Sequence, residues 1–121
     1  MNDADLLDLQ KMLKALGDVA RLEIVAALAS TEEMTVTDLG HMLTANGHLL
    51  SQPLVSWHIS VLRRWGLICT RRVGRLVYCS LDRTRYDYCL RRLAELVQTP
   101  GVPQQMAGAT AAADPAAGMP R

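Results

Sequence analysis

Between residues 3 and 16, leucines recur at Leu6, Leu9, Leu13 and Leu16, three or four apart, which predicts a helix with one apolar stripe. Asp3, Asp5 and Asp8 lie in its first turns, where the helix dipole favours acids, and Gly17 ends it. Asp18 is placed to cap a second helix over 18–29, with Leu22, Val25 and Leu28 as its stripe and Ile24 beside it. The stretch 30–34 is polar. Thr35-Val36-Thr37-Asp38 then matches a capping box for a third helix that buries Val36, Leu39 and Leu43, and Thr44-Ala45-Asn46-Gly47 reads as its stop. Ser51 caps a fourth helix with Pro53 in its first turn, Val55, Ile59 and Leu62 along one side, and Gly66 at its close. Two β-rich runs, 67–72 and 75–81, flank Val73-Gly74 and predict a hairpin. Asp82 caps a last helix with Tyr86, Cys89 or Leu90, Leu93 and Val97 inward.

From Thr99 onward the pattern is lost. Four of the five prolines and three glycines fall in 99–121 among many alanines, which predicts a disordered tail behind a single domain over 1–98. Phe is absent, so the core is expected to be aliphatic. No apolar run reaches the ~20 residues of a membrane span, and the acidic start carries no basic leader. Three cysteines without a short paired spacing speak against a disulfide scaffold and for a reducing, cytoplasmic setting.

The formal net charge of +1 conceals an asymmetry. Residues 1–60 hold three Lys/Arg against eight Asp/Glu, whereas residues 61–98 hold nine Arg against three acids. Arginine binds phosphate through a planar fork of donors, so a basic half of this kind suits a one-sided contact with a polyanion.

The order of four helices, a hairpin and a fifth helix predicts a mainly α winged helix-turn-helix, α1-α2-α3-α4-β-β-α5. In such a unit the second helix of the pair enters the major groove by its start. That helix offers Ser51, Gln52, Pro53, Ser56 and Trp57, with Ser60 and Arg63 further along, and the hairpin tip carries Arg71, Arg72 and Arg75 around Gly74. Gln and Ser can bond base edges or phosphates, and arginines at a glycine tip can bind the DNA backbone or lie in the minor groove. No set of nucleophile, base and orienting group is visible, nor a phosphate loop, so an enzyme is not expected.

The blocks Leu13 to Val25, Ser51 to Leu62, and Gly66-Leu67-Ile68 through Arg71-Arg72-Val73-Gly74-Arg75-Leu76-Val77-Tyr78 resemble the arsenic-repressor (ArsR/SmtB) family of bacterial winged-helix transcription regulators, over about residues 6–97. The resemblance implies a homodimer packed through the first and last helices. It also implies a double-stranded DNA operator with imperfect two-fold symmetry, and repression relieved by an effector. It places Ser51, Gln52, Pro53 and Ser56 at the family's DNA-contacting helix start. Trp57 stands where the family more usually has a polar or basic residue; an indole there can pack on a thymine methyl or a sugar, or serve a dimer or partner contact. The stretch from Thr44 to Leu50 is longer than the family's usual tight turn.

No cofactor is expected. The family's thiolate motif, Cys-Val-Cys-Asp-Leu, aligns with Thr35-Val36-Thr37-Asp38-Leu39, and the last helix contains no His. Two further sensing chemistries are left open: a Cys69–Cys79 redox pair across the hairpin, which a one-residue change of register would separate, and a noncognate metal site built from Asp38, His41 and His48, or one that these residues share across the dimer. The alternative to a regulator is a protein-interaction module that keeps the winged-helix shape, with Trp57 as its contact.

Overall fold

The computed structural model describes residues 1–98, so the proposed tail lies outside the described residues. Five helices, α1 (Asp3–Leu16), α2 (Val19–Ala29), α3 (Val36–Ala45), α4 (Gln52–Arg64) and α5 (Arg83–Leu96), surround a small antiparallel sheet. Its strands β1 (Met34–Thr35), β2 (Ile68–Val73) and β3 (Leu76–Leu81) run in the order β1-β3-β2. The expected winged helix-turn-helix order is present, with one addition. Met34 and Thr35, within and just after the stretch read as polar, pair with Cys79 and Tyr78 of β3. A two-residue strand is too short to show alternation, which is why the pattern missed it. None of the described helices is long and apolar enough to cross a membrane.

Each helix start carries a side-chain cap. Asp18 accepts from Arg21 N–H, Thr35 from Asp38, Ser51 from Leu54 and Asp82 from Arg85. The fully reciprocal capping box is at the start of α1, between Asn2 and Asp5, rather than at Thr35. The main core gathers Ile24 and Leu28 of α2, Leu39 and Leu43 of α3, and Val55, Ile59 and Leu62 of α4 with Leu67, Ile68 and Cys79 of the hairpin. Burying each of the Leu, Ile and Val side chains contributes roughly 1.5–3 kcal/mol.

The outer helices depart from a simple inward stripe. In α1 the buried residues are Leu9, Met12 and Ala15, while Leu6, Leu7 and Leu13 stay exposed. In α5 only Cys89 is buried, and Leu90, Leu96 and the following Val97 are exposed, contrary to the expectation that Val97 points inward. Leu22 of α2 is likewise exposed, its place in the core taken by Ile24. Four leucines at helical spacing can serve an outer seam as well as an inner one, and periodicity does not separate the two.

Candidate nucleic-acid interface

Helix α4 presents two unlike faces. Val55, His58, Ile59 and Leu62 are buried, while Ser51, Gln52, Pro53, Ser56, Trp57, Ser60 and Arg63 are all exposed. The start of the helix is held by its preceding turn, residues 46–51. Gly47 takes a φ of +96°, as expected of an Asn-Gly stop. Glu23 of α2 accepts from Asn46 Nδ2 at 2.6 Å and meets His48 Nε2 at 2.7 Å, so one carboxylate pins both ends of the turn's first half. These bonds, that from His48 first, hold the Glu23 carboxyl below its ordinary value. The long turn is thus an ordered clip, and its tip exposes Leu49 almost completely, at 96%.

The wing is a tight hairpin in which Val73 faces Leu76, leaving Gly74 and Arg75 as a two-residue tip. Gly74 has a φ of +61°, which an L side chain rarely adopts. A cleft of about 210 Å³ opens between this tip and the helix pair, and Thr35, Thr37, Gln52, Ser56 and Arg75 are among its lining residues. The start of α4 and the arginine at the wing tip therefore lie on one side of the molecule. The sequence marks Thr35 and Thr37, at the start of α3, as a helix start and as the family's thiolate positions, but not as part of this face. The contact between α3 and α4 that brings them in crosses Gly40, where Gln52 Oε1 lies 3.4 Å from the place of a Cβ.

The three wing arginines are not equivalent. Arg71 forms a two-pronged pair with Glu33, both bonds 2.7 Å, and stacks on Tyr78 with its guanidinium 4.6 Å from the ring centroid. The bond with Arg71 holds the Glu33 carboxyl below its ordinary value. Arg72 and Arg75 take part in no ion pair among the described residues. The fork of Arg71 is thus already filled by a carboxylate, and those of Arg72 and Arg75 are open to a phosphate.

The sensing chemistries fare differently. Cys69 pairs with Ser80, and Cys79 with Thr70, so the two cysteines fall on opposite faces of the hairpin, Cys69 exposed and Cys79 buried. The proposed Cys69–Cys79 pair is therefore ruled out by a register shift of one residue. Burial pushes the Cys79 thiol up to about 11, away from the reactive thiolate. His48 is taken by Glu23, and the described residues contain no group of three or more His, Cys, Asp or Glu placed to hold a metal ion, so Asp38, His41 and His48 of one protomer do not assemble a site between them. The residues at the family's thiolate positions do not fit a soft metal: Thr35 and Thr37 supply hydroxyls, and Thr35 is engaged as the cap of α3.

The fold and this face define a winged helix-turn-helix protein. Residues 18–70 match the family model for bacterial regulatory proteins of the arsR family. The chain is 33% identical over 85 residues to the transcriptional activator HlyU of Vibrio cholerae, covering 70% of this chain and 73% of that protein. It is 33% identical over 76 residues to a cadmium resistance transcriptional regulatory protein, a CadC homolog of Staphylococcus aureus, covering 63% of this chain and 59% of that one. Against the arsenical resistance operon repressor of Escherichia coli it is 38% identical over 72 residues, covering 60% of this chain and 57% of the repressor. With the last two relatives, then, the match spans less than two thirds of their length. The solved structure of HlyU from Vibrio cholerae superposes with a TM-score of 0.62 at 29% identity, over 79% of this chain and 98% of that one. The chain belongs to the arsR family of bacterial regulatory proteins, and these relatives are transcription regulators rather than enzymes.

Proposed function

We infer that the protein is a dimeric transcription regulator that binds an operator of imperfect two-fold symmetry, the start of α4 in the major groove and the wing tip on the flanking backbone. The observation that carries this is the shared cleft of Gln52, Ser56 and Arg75, which lets one duplex meet both elements at once. Ser51, Gln52 and Ser56 supply donors and acceptors for base edges or phosphates, with Pro53 fixing the first turn. Trp57 and Ser60 flank that surface, and Arg63, Arg72 and Arg75 neutralise phosphates.

The dimer is supported by α1 and α5, which lie side by side through Leu9, Met12 and Cys89 and leave Leu6, Leu7, Leu13, Leu90, Leu96 and Val97 uncovered. A two-fold mate across this seam would repeat the reading head on the same face of the duplex, about one helical turn away. Repression relieved by an effector is the mode of action that the family suggests. The family's own metal positions offer no thiolate or imidazole here, so such an effector would use other chemistry.

The test is a titration of a duplex taken from immediately upstream of the protein's own gene, followed by fluorescence anisotropy across a range of salt. The expected result is one dimer per site and an affinity that falls steeply with salt, since phosphate contacts release counterions. Absence of binding to any duplex at low salt, with a protein partner captured through Trp57, would instead establish the interaction-module alternative.

A further inference from the structure

Beneath the exposed face of α4 lies a buried cation that the DNA-facing residues do not use. Arg21 is 9% exposed and His58 6%. Arg21 Nε donates to the Ala15 carbonyl in the last turn of α1 at 2.6 Å, and Arg21 Nη1 meets His58 Nδ1 at 3.0 Å. The same guanidinium lies 5.5 Å from the centroid of the Trp57 ring, and His58 meets that ring edge-on at 5.0 Å. One side chain thus joins α1, α2 and two successive residues of α4.

A guanidinium only donates. His58 Nδ1 is therefore the lone-pair nitrogen, and the ring is neutral with its proton on Nε2. A proton on Nδ1 would set two donors and two positive charges head to head, at a site too enclosed for water to screen them. Burial is the largest influence on His58 and holds it below its ordinary value of 6.5; Asp18, the cap of α2, pulls it back up, while Arg21 and His48 of the α3–α4 turn push it down. Helix α1 contributes the Ala15 carbonyl on the far side of the guanidinium, and α3 and β2 share the apolar core with α4 through Leu39, Leu43 and Ile68. The folded state thus favours the neutral ring. The link is intact above about pH 6.5 and is lost as pH falls through the lower folded value.

We propose that Arg21 is a positioning residue for the recognition helix, fixing α4 to the α1–α2 corner through unprotonated His58 and Trp57, so that DNA affinity falls when His58 takes a proton. This rests on the DNA-binding reading above. The direction is diagnostic, because a proton that merely adds a cation to the surface strengthens binding to a polyanion.

The experiment uses the full chain and a duplex that the wild-type protein enriches from a random pool at about pH 8, with anisotropy read down to about pH 5.5. Urea unfolding at each pH confirms that the protein stays folded. Wild-type affinity is expected to drop about tenfold, the scale of one lost charge-assisted hydrogen bond. His58→Asn presents an amide oxygen near the place of Nδ1 and cannot be protonated there; it is expected to bind at about pH 8 as the wild type does and to lose the drop. Arg21→Lys keeps the charge but cannot bridge Ala15 and His58, and is expected to bind about tenfold more weakly at the higher pH with a flattened profile. Trp57 fluorescence in a Trp65→Phe background gives a readout without DNA, because a protonated imidazole in edge contact quenches indole emission. Quenching is expected on acidification, and its loss in His58→Asn.

Equal wild-type affinity at both pH values with normal Trp57 quenching would overturn the coupling alone. So would an equal drop in His58→Asn, or emission that does not respond to acid. A chain that quenches normally but binds no duplex at any pH would overturn the regulator reading and the affinity consequence with it.

Discussion

The α4–wing side and the α1–α5 side of the molecule both carry arginines, and they use them in opposite ways. On the α1–α5 side two arginines are neutralised, Arg85 by Asp8 at 2.8 Å and Arg92 by Asp5 at 3.4 Å and Glu95 at 3.1 Å, while Arg83 and Arg91 of α5 take part in no ion pair among the described residues. Around these pairs leucines are left bare. On the α4–wing side Arg63, Arg72 and Arg75 take part in no ion pair among the described residues, and the apolar residues of α4 are mostly turned inward. A surface that cancels part of its charge and exposes Leu is suited to a copy of itself, and one that leaves guanidinium forks open beside a helix start is suited to phosphate. The basic excess of residues 61–98 is therefore a poor guide by itself, because only the unpaired part is available to DNA.

Exchanging the character of either surface should break the contrast, and the largest effect is expected at the seam. Leu13→Asp with Leu90→Asp would place carboxylates where about 1.5–3 kcal/mol of burial per leucine is otherwise gained. Sedimentation should show self-association weakened by at least about a hundredfold with the helical circular dichroism kept, since neither residue is buried in the described chain. Undiminished self-association would place the seam elsewhere.

Next in size is the open pair of arginines. Arg72→Ala with Arg75→Ala should weaken every duplex by about ten- to a hundredfold and lower the salt slope by roughly four, about one per phosphate contact over the two protomers. Retained affinity in this variant would remove the wing from the mechanism. Gln52→Ala is expected to act on sequence preference rather than on overall binding, relaxing selection at one base by about tenfold in a random-pool enrichment. The smallest effect is expected for Arg71→Ala, less than about threefold on affinity at fixed salt, because Glu33 already occupies that fork. A loss as large as that of Arg75→Ala would mean that DNA displaces Glu33.

Much of this architecture was legible in the residues. Ser51, Asp18 and Asp82 announce their helices through cap chemistry that is local in sequence, and Gly74 marks the wing because few residues tolerate its φ. The burial of Val55, Ile59 and Leu62 follows from spacing alone. What stayed hidden depends on partners distant in the chain. Glu33 is 38 positions from Arg71, Glu23 is 25 from His48, and Arg21 is 37 from His58. Nothing local to His58 names a buried arginine as its partner. The Cys69–Cys79 idea failed on register, which a hairpin sequence leaves ambiguous by one residue until its turn is known.

Tethered cleavage shows whether the start of α4 and the wing tip read one duplex together. Single cysteines introduced as Gln52→Cys and Arg75→Cys, in a background where exposed Cys69 is Ser, would each carry an iron chelate that cuts nearby DNA. Both variants are expected to cut within the same half-site on one face of the duplex, with a mirrored set of cuts across the dyad. Cuts by the two variants on opposite faces, or cutting by one position only while binding is retained, would contradict it.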